Sequence, residues 1–371
     1  MGNKFEKIKE RLSPYIFLAP FLFWLIIFFG YAFIRSFYFS FTDYNLFRAP
    51  NFVGFSNYIR LFNEYLFSRA FQNTITFSLI VTLTQTFLAL ILAVVLNRKI
   101  RGIKIFRTIY YLPSVTSSVV ITLIFMWLFQ RRGVFNFLLT SYQRYREYVN
   151  LFLAVFLITH IFNILKEKYF KRSVKILEPS YLVLSMLLGT FAVLATSFTG
   201  IISAREVEVV DIIWLNTREL IPGWAGRFAF PRPLGAIMLL NIWTTVPTMM
   251  ILYLAGLQDI PSSLYEAADV DGASNWQKFW KITVPQLKHI TFLVTTMGFI
   301  GTLQMFDQVA IIGGQAPLES TVTMAYYVYV NMFPSSAQPR VGMASAAAII
   351  LAILTLIVVF IQKQFTGEVR E

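Results

Sequence analysis

The chain contains no cysteine and only 2 histidines. That excludes a disulfide framework, a thiolate metal site and a thiol nucleophile, and it leaves little for a histidine-rich metal centre. Charge is scarce as well: 14% of the 371 residues are charged, against about 25% in ordinary soluble domains. No Gly-x4-Gly-Lys-Ser/Thr run occurs anywhere in the sequence, so the chain has no phosphate loop of its own. No fixed-period repeat is visible, and Pro, Gly and Ser do not gather into a long linker. What is abundant is apolar surface: 57% of residues are hydrophobic, and there are 38 Phe and 18 Tyr. A water-soluble core cannot absorb that excess, and disordered chains are poor in aromatics. The composition predicts an all-α polytopic membrane protein.

A helical span needs about 20 predominantly apolar residues. Eight uncharged stretches qualify: Tyr15–Ile34, Ala70–Leu96, Thr108–Gln130, Tyr148–Leu165, Pro179–Ala204, Leu234–Gln258, Ile290–Phe306 and Val341–Gln362. The first follows a basic segment, but its apolar run is longer than the ~7–15 residues of a signal-peptide core, and no small-x-small cleavage site follows. It reads as a retained span. The net charge of +13 is better explained by the positive-inside rule than by nucleic-acid binding. With both termini cytoplasmic and eight alternating spans, every lysine falls on the cytoplasmic side. A six-span chain lacking the fourth and fifth stretches would place Lys166, Lys168, Lys171 and Lys175 outside. The lysine pattern therefore favours eight spans within a single membrane domain, 1–371.

The segment 259–289 differs from the other loops. Pro261-Ser262-Ser263 with Glu266 three residues beyond Ser263 reads as a helix start with a capping box. Gly272 lies where that short helix should end. A second short helix, Ser274–Ile282, should follow and stop near Pro285. Two short helices meeting at a glycine make a stiff cytoplasmic knob. From these residues alone, an amphipathic element lying at the lipid surface and a docking element for a soluble partner both remain open.

The spacing here carries a resemblance. Glu266-Ala267-Ala268, three residues, Gly272, nine residues, then Ile282-Thr-Val-Pro285 resembles the motif of permeases of bacterial binding-protein-dependent ABC importers, with Val284 in place of a leucine. Leu254–Pro261, Asp271-Gly-Ala-Ser274, Leu112-Pro113 and Phe306-Asp307 followed by Gly313-Gly314 resemble the carbohydrate-uptake branch, in the manner of maltose permeases. The likeness lapses at about 141–232, where this chain carries an extra hydrophobic pair and an outer loop relative to a six-span core.

The resemblance implies a type I importer permease fold and no enzymatic activity in this chain. ATP and Mg would be bound by a dimer of partner ATPase subunits, coupled through Glu266, Ala267, Ala268, Asp271, Gly272 and Pro285. It further implies a second homologous permease, an extracytoplasmic solute-binding protein, surrounding lipid and a place in the bacterial inner membrane. By the same likeness, the substrate pathway would be lined by Ser114, Ser118, Asn241, Thr244, Thr245, Thr248, Thr302 and Met305, whose polar groups are costly against lipid. No catalytic or metal-binding residue is expected. The competing classes are a proton-coupled secondary transporter, for which Asp307 is the one carboxylate inside an expected span, and a membrane glycosyltransferase, for which Glu206, Glu208 and Asp211 form the one outer acidic grouping. Asp307 is better read as a structural, hydrogen-bonded residue than as a proton relay. Neither class explains the Glu266–Pro285 spacing.

Overall fold

The computed structural model describes residues 15–97, 103–170, 178–223, 226 and 229–366. The basic N-terminal segment, Lys171 and Lys175 lie outside these. Among the described residues, seven helices are long and apolar enough to cross a bilayer, and a bent pair makes an eighth. In chain order the elements are α1 (Tyr15–Ser40), α2 (Ser56–Asn63), α3 (Tyr65–Leu96), α4 (Ile103–Val115), α5 (Ser118–Leu128), α6 (Val134–Tyr169) and α7 (Pro179–Thr199). The strand pair β1 (Leu220–Ile221) and β2 (Phe230–Pro231) is antiparallel, with Leu220 opposite Pro231. Then follow α8 (Arg232–Gln258), α9 (Ser262–Val270), α10 (Asn275–Lys278), α11 (Val284–Gln286), α12 (Lys288–Leu303), α13 (Asp307–Ile312), α14 (Leu318–Thr321), α15 (Met324–Met332) and α16 (Val341–Thr366). The chain divides into two compact units, residues 126–214 and the remainder.

In the larger unit, the second halves of α3 and α8 run side by side. Ala89, Ala93 and Leu96 of α3 meet Met250, Tyr253 and Leu257 of α8, with Leu287 and Val294 from beside and within α12. The alanines let the backbones approach closely, which is how helices associate in lipid where apolar burial offers little driving force. A second cluster joins Phe67 and Ala70 of α3 to Tyr327 of α15 and Ala346 and Ala347 of α16. That end is clasped by polar groups: Arg340 donates to both oxygens of Glu64 at 3.1 and 3.2 Å, and the Tyr327 hydroxyl donates to Glu64 at 2.5 Å. Burial, then the neighbouring Glu64 carboxylate, pushes the Tyr327 hydroxyl above its usual range.

Two expectations about the spans change. The third is not straight, because α4 and α5 meet at 97°. Pro113 lies inside α4; it lacks an N–H and crowds the preceding turn, and the helix ends two residues later at Val115. The stretch expected as Tyr148–Leu165 is the end of a 36-residue helix, Val134–Tyr169. Nothing between Gly133 and Tyr169 breaks helical hydrogen bonding. The charged residues Arg144, Arg146 and Glu147 are good helix formers, so hydropathy marks only the apolar part of the element.

In the unit 126–214, α6 and α7 form a hairpin. Gly189 of α7 lies so close to α6 that an added Cβ would sit 2.9 Å from the Phe152 ring. Tyr181 donates to Glu167 at 2.7 Å near one end, and Arg205 pairs with Glu147 at 2.7 Å near the other. Arg131 pairs with Asp211, and this hydrogen bond holds the Asp211 carboxyl below the usual carboxylate range. His160 stacks on Phe156, with centroids 5.8 Å apart.

Candidate functional site

The knob at 259–289 is built from local chemistry. Pro261 occupies the N-cap position of α9, with no side-chain cap. Its fixed φ pre-sets the first helical turn. Ser263 is therefore already inside the helix, and the expected capping box with Glu266 does not form. The helix ends in a complete Schellman motif: the Ala273 N–H donates to the Ala268 carbonyl at 2.9 Å and the Gly272 N–H to Asp269 at 3.1 Å. Gly272 has φ +73°, a left-handed conformation that costs a residue with a Cβ about 1–2 kcal/mol.

The capping box lies one turn further on. Ser274 accepts from the Gln277 N–H at 3.3 Å, and the Gln277 side chain accepts from the Ser274 N–H at 2.7 Å. The Ser274-Asn-Trp-Gln277 spacing is itself the sequence mark of such a box. The helix expected over Ser274–Ile282 does not stop at Pro285. After α10 it widens into a π-type turn at Phe279–Thr283 and continues through α11 to Leu287, from which α12 starts. The wide turn shifts the hydrogen-bond ladder just where proline cannot donate, so Pro285 is accommodated rather than breaking the helix.

Glu266, Ala267, Asp271, Gly272 and Pro285 are exposed and Ala268 is half-buried. Behind them the knob is anchored firmly. Tyr265 packs on the α3–α8 cluster and shares a 2.9 Å hydrogen bond with Thr283. Lys278 donates to Asp269 at 2.6 Å, tying the two short helices together. Leu287 is fully buried beside Gly256, where an added Cβ would lie 3.1 Å from it. The exposed face thus rides on α3, α8 and α12.

A second feature is the cleft at the α4–α5 bend. It encloses about 270 Å³ between that bend and α8, lined by Ser114, Thr116, Ser118, Thr244, Thr245, Thr248 and Gln308 among others. Five of the eight residues expected on a pathway come together here. Asn241 stands one turn above Thr245 and donates to Gln308 at 3.2 Å. Thr245 donates to the buried Gln85 of α3 at 2.6 Å. Thr302 and Met305 are not brought to the cleft. Thr302 is buried in a hydroxyl cluster with Ser78 at 2.9 Å and Thr82 at 3.0 Å. Met305 is buried too, and its carbonyl accepts from Thr323 at 2.7 Å. Thr116 and Gln308 are the polar lining residues that sequence reasoning missed. Gln308 carries no motif and falls next to the break at Gln304–Phe306, where hydropathy alone does not place a side chain. Asp307 is the exposed first residue of α13, and its carboxylate has no hydrogen bond or ion pair among the described residues; its place at a helix N-terminus suits a carboxylate. The expectation of a hydrogen-bonded Asp307 is therefore not met. Hydroxyls and amides around a cleft of this size can exchange hydrogen bonds with a polyhydroxylated solute.

Comparison with known proteins agrees with this architecture. Residues 85–371 match the family model described as the binding-protein-dependent transport system inner membrane component. The chain is 26% identical to a probable ABC transporter permease, YurN, of Bacillus subtilis, over 97% of this chain and 98% of that one. It is 28% identical to the lactose transport system permease LacF of Rhizobium radiobacter, covering 95% and 93%. With the multiple sugar-binding transport permease MsmF of Streptococcus mutans it shares 28% identity over 98% of each. Its fold matches that of a chain in the crystal structure of a bacterial ABC transporter importing the polysaccharide alginate, with a TM-score of 0.66 at 21% identity and full coverage of both. The proton-coupled and glycosyltransferase alternatives are thereby set aside. The chain belongs to the family of binding-protein-dependent transport system inner membrane components, as a multi-pass permease of an ABC importer.

Proposed function

We propose that this chain forms half of the translocation pathway for a sugar or sugar-like solute and receives its driving force through the knob. The observation that carries the reading is the mounting of α9: an exposed Glu266–Gly272 face fixed by a Schellman turn and by Tyr265 to helices that border the cleft. A soluble ATPase pair, holding ATP and Mg, would press on Glu266, Ala267, Ala268 and Asp271, with Gly272 setting the angle between α9 and α10. Movement there passes through Leu287 and Tyr265 into α8, α12 and α3. Lactose and multiple-sugar permeases among the relatives support the solute class, and the alginate transporter solved with its periplasmic protein supports delivery by a binding protein. A second homologous permease would complete the pathway, since one cleft of this size bounded by one chain leaves its far side open.

Thr248 and Gln308 are the residues to change: the Thr248 side chain has no hydrogen-bond partner among the described residues, and the Gln308 side chain does no more than accept the 3.2 Å bond from Asn241. Thr248→Val and Gln308→Leu are each expected to lower solute uptake about ten-fold, the equivalent of roughly 1.4 kcal/mol, while ATP hydrolysis stimulated by the binding protein persists. Undiminished uptake in both would remove the cleft from the pathway. This reading puts both termini and the knob in the cytoplasm, as the distribution of lysines supports. A membrane-impermeant amine reagent applied to intact cells is expected to leave the chain unmodified, and labelling at Lys166 or Lys168 would reverse the topology of the α6–α7 hairpin.

A further inference from the structure

At the end of the larger unit opposite the knob, α2 presents three different faces. One is buried: Leu61 is fully buried and Asn57 nearly so, with the Asn57 amide donating to the carbonyls of Ser40 at 2.9 Å and Thr42 at 2.8 Å. A second is polar, with Arg60 lining a small cleft together with Asp43 and Asn45. The third is apolar and open. Phe55, Ile59 and Phe62 are 69%, 63% and 68% exposed. At about 100° per residue they fall within an arc of roughly 60°, with Arg60 roughly 100° or more away from each of them.

A short helix with an unused apolar stripe is ambiguous by itself, but here the stripe continues the exposed apolar surface of a membrane-spanning helix. On α1, Phe33, Ile34 and Phe37 are about half exposed or more, on a 26-residue apolar helix that crosses the bilayer. From Phe37 an unbroken series of ring contacts leads onto α2: Phe37 to Phe41 at 5.2 Å, Phe41 to Phe55 at 5.4 Å and Phe41 to Phe52 at 6.5 Å. Phe52 is itself 75% exposed. At its other end α2 is separated by Glu64 alone from the next span, whose first residue, Tyr65, is 64% exposed. The helix is therefore held between the ends of two spans, at the depth where a bilayer changes from hydrocarbon to headgroup, with aromatic side chains of the kind enriched there. Its length, about 12 Å at ~1.5 Å per residue, suits lying along that boundary rather than entering it end-on.

We propose that α2 is an interfacial helix whose Phe55, Ile59 and Phe62 stripe is embedded in the outer leaflet, while Arg60 faces water. The occupant of this face is membrane lipid, and not a soluble partner or a second copy of the chain. The helix would fix the depth and tilt of α1 and α3, and through Asn57 it holds the Ser40–Thr42 turn between them.

The missing cysteine makes the test direct. Phe55→Cys, Ile59→Cys and Phe62→Cys, with Phe37→Cys as the span reference and Arg60→Cys as the water reference, each give a single labelling site in the full chain. Nitroxide-labelled protein in vesicles of phosphatidylethanolamine and phosphatidylglycerol is scored by relaxation with oxygen against a water-soluble nickel chelate. All five side chains have open surface, and Ile59 and Phe62 give a second and third reading should Phe55, whose ring meets Phe41 edge to face, perturb the turn. The expected result is an oxygen preference at 55, 59 and 62 several-fold above that at 60 and approaching that at 37. A nickel preference at 59 and 62 would overturn the proposal, as a face left in water for a soluble partner. Low accessibility to both reagents there would also overturn it, as a face covered by protein.

Discussion

Replacing Gly272 by leucine is expected to bring ATP-coupled uptake to background while the chain still inserts and assembles. A leucine at φ +73° forces either a strain of about 1–2 kcal/mol or a different turn. A different turn breaks the Ala273-to-Ala268 and Gly272-to-Asp269 hydrogen bonds and swings α10 away from α9. Nothing lies within 4 Å of an added Cβ at this position, so the effect arises from the backbone rather than from a clash, and the spans are untouched. Glu266→Lys reaches the same outcome by another route. Glu266 is exposed and its side chain has no hydrogen bond or ion pair among the described residues, so reversing its charge leaves α9 intact and acts only on whatever docks there. Gly301→Ala, where an added methyl again meets nothing, is the control and should transport normally. The measurement is uptake alongside ATP hydrolysis in reconstituted vesicles. Normal coupling in both knob variants would end the docking role.

Gly342→Ala should be the most destabilising of the small substitutions. An added Cβ at Gly342 would lie 2.0 Å from the Thr42 carbonyl oxygen and 2.9 Å from the Asn57 amide. The first of these is backbone and cannot swing aside. To relieve the clash, the segment after α1 must move away from α16, which breaks the 3.0 Å bond from the Gly342 N–H to Tyr44 and the 2.8 Å bond from Asn57 to Thr42. Overpacking costs about 1–3 kcal/mol, and losing partners for buried polar groups adds about 1–3 kcal/mol. Unfolding in a denaturing detergent should show a loss of this size for Gly342→Ala and no loss for Gly301→Ala. Equal stability of the two would show that the α1–α16 contact is looser than the structure has it.

How far the sequence could be read depended on the range of the interactions involved. The spans were legible because lipid imposes one requirement on every residue of a long stretch, and Gly272 was legible because a left-handed turn admits few residue types. The 97° bend at Pro113 was not legible in degree, because proline marks a break and tertiary packing sets its angle. The long start of α6 was missed because charged helix formers such as Arg144 carry no hydropathy. In the knob, the Ser263–Glu266 spacing misled: Pro261 takes the cap, and Ser274–Gln277 forms the box instead. Of the residues expected on a pathway, Ser114, Ser118, Thr244, Thr245 and Thr248 share one cleft because the bend faces a single stripe of α8. Thr302 turns instead to Ser78 and Thr82, and no local pattern distinguishes a hydroxyl facing a cavity from one facing a neighbouring helix. Gln308 entered the cleft through a helix break that a hydropathy window averages away.

The central claim is that this chain moves its solute only when a partner's ATP hydrolysis reaches it through the knob. The most direct measurement is solute uptake into vesicles holding the chain with a companion permease, an ATPase pair and a binding protein, compared with vesicles holding the chain alone under a proton gradient. Uptake is expected only in the complete assembly, only with ATP, and not with Gly272→Leu. Uptake by the chain alone, driven by the proton gradient without ATP, would contradict it.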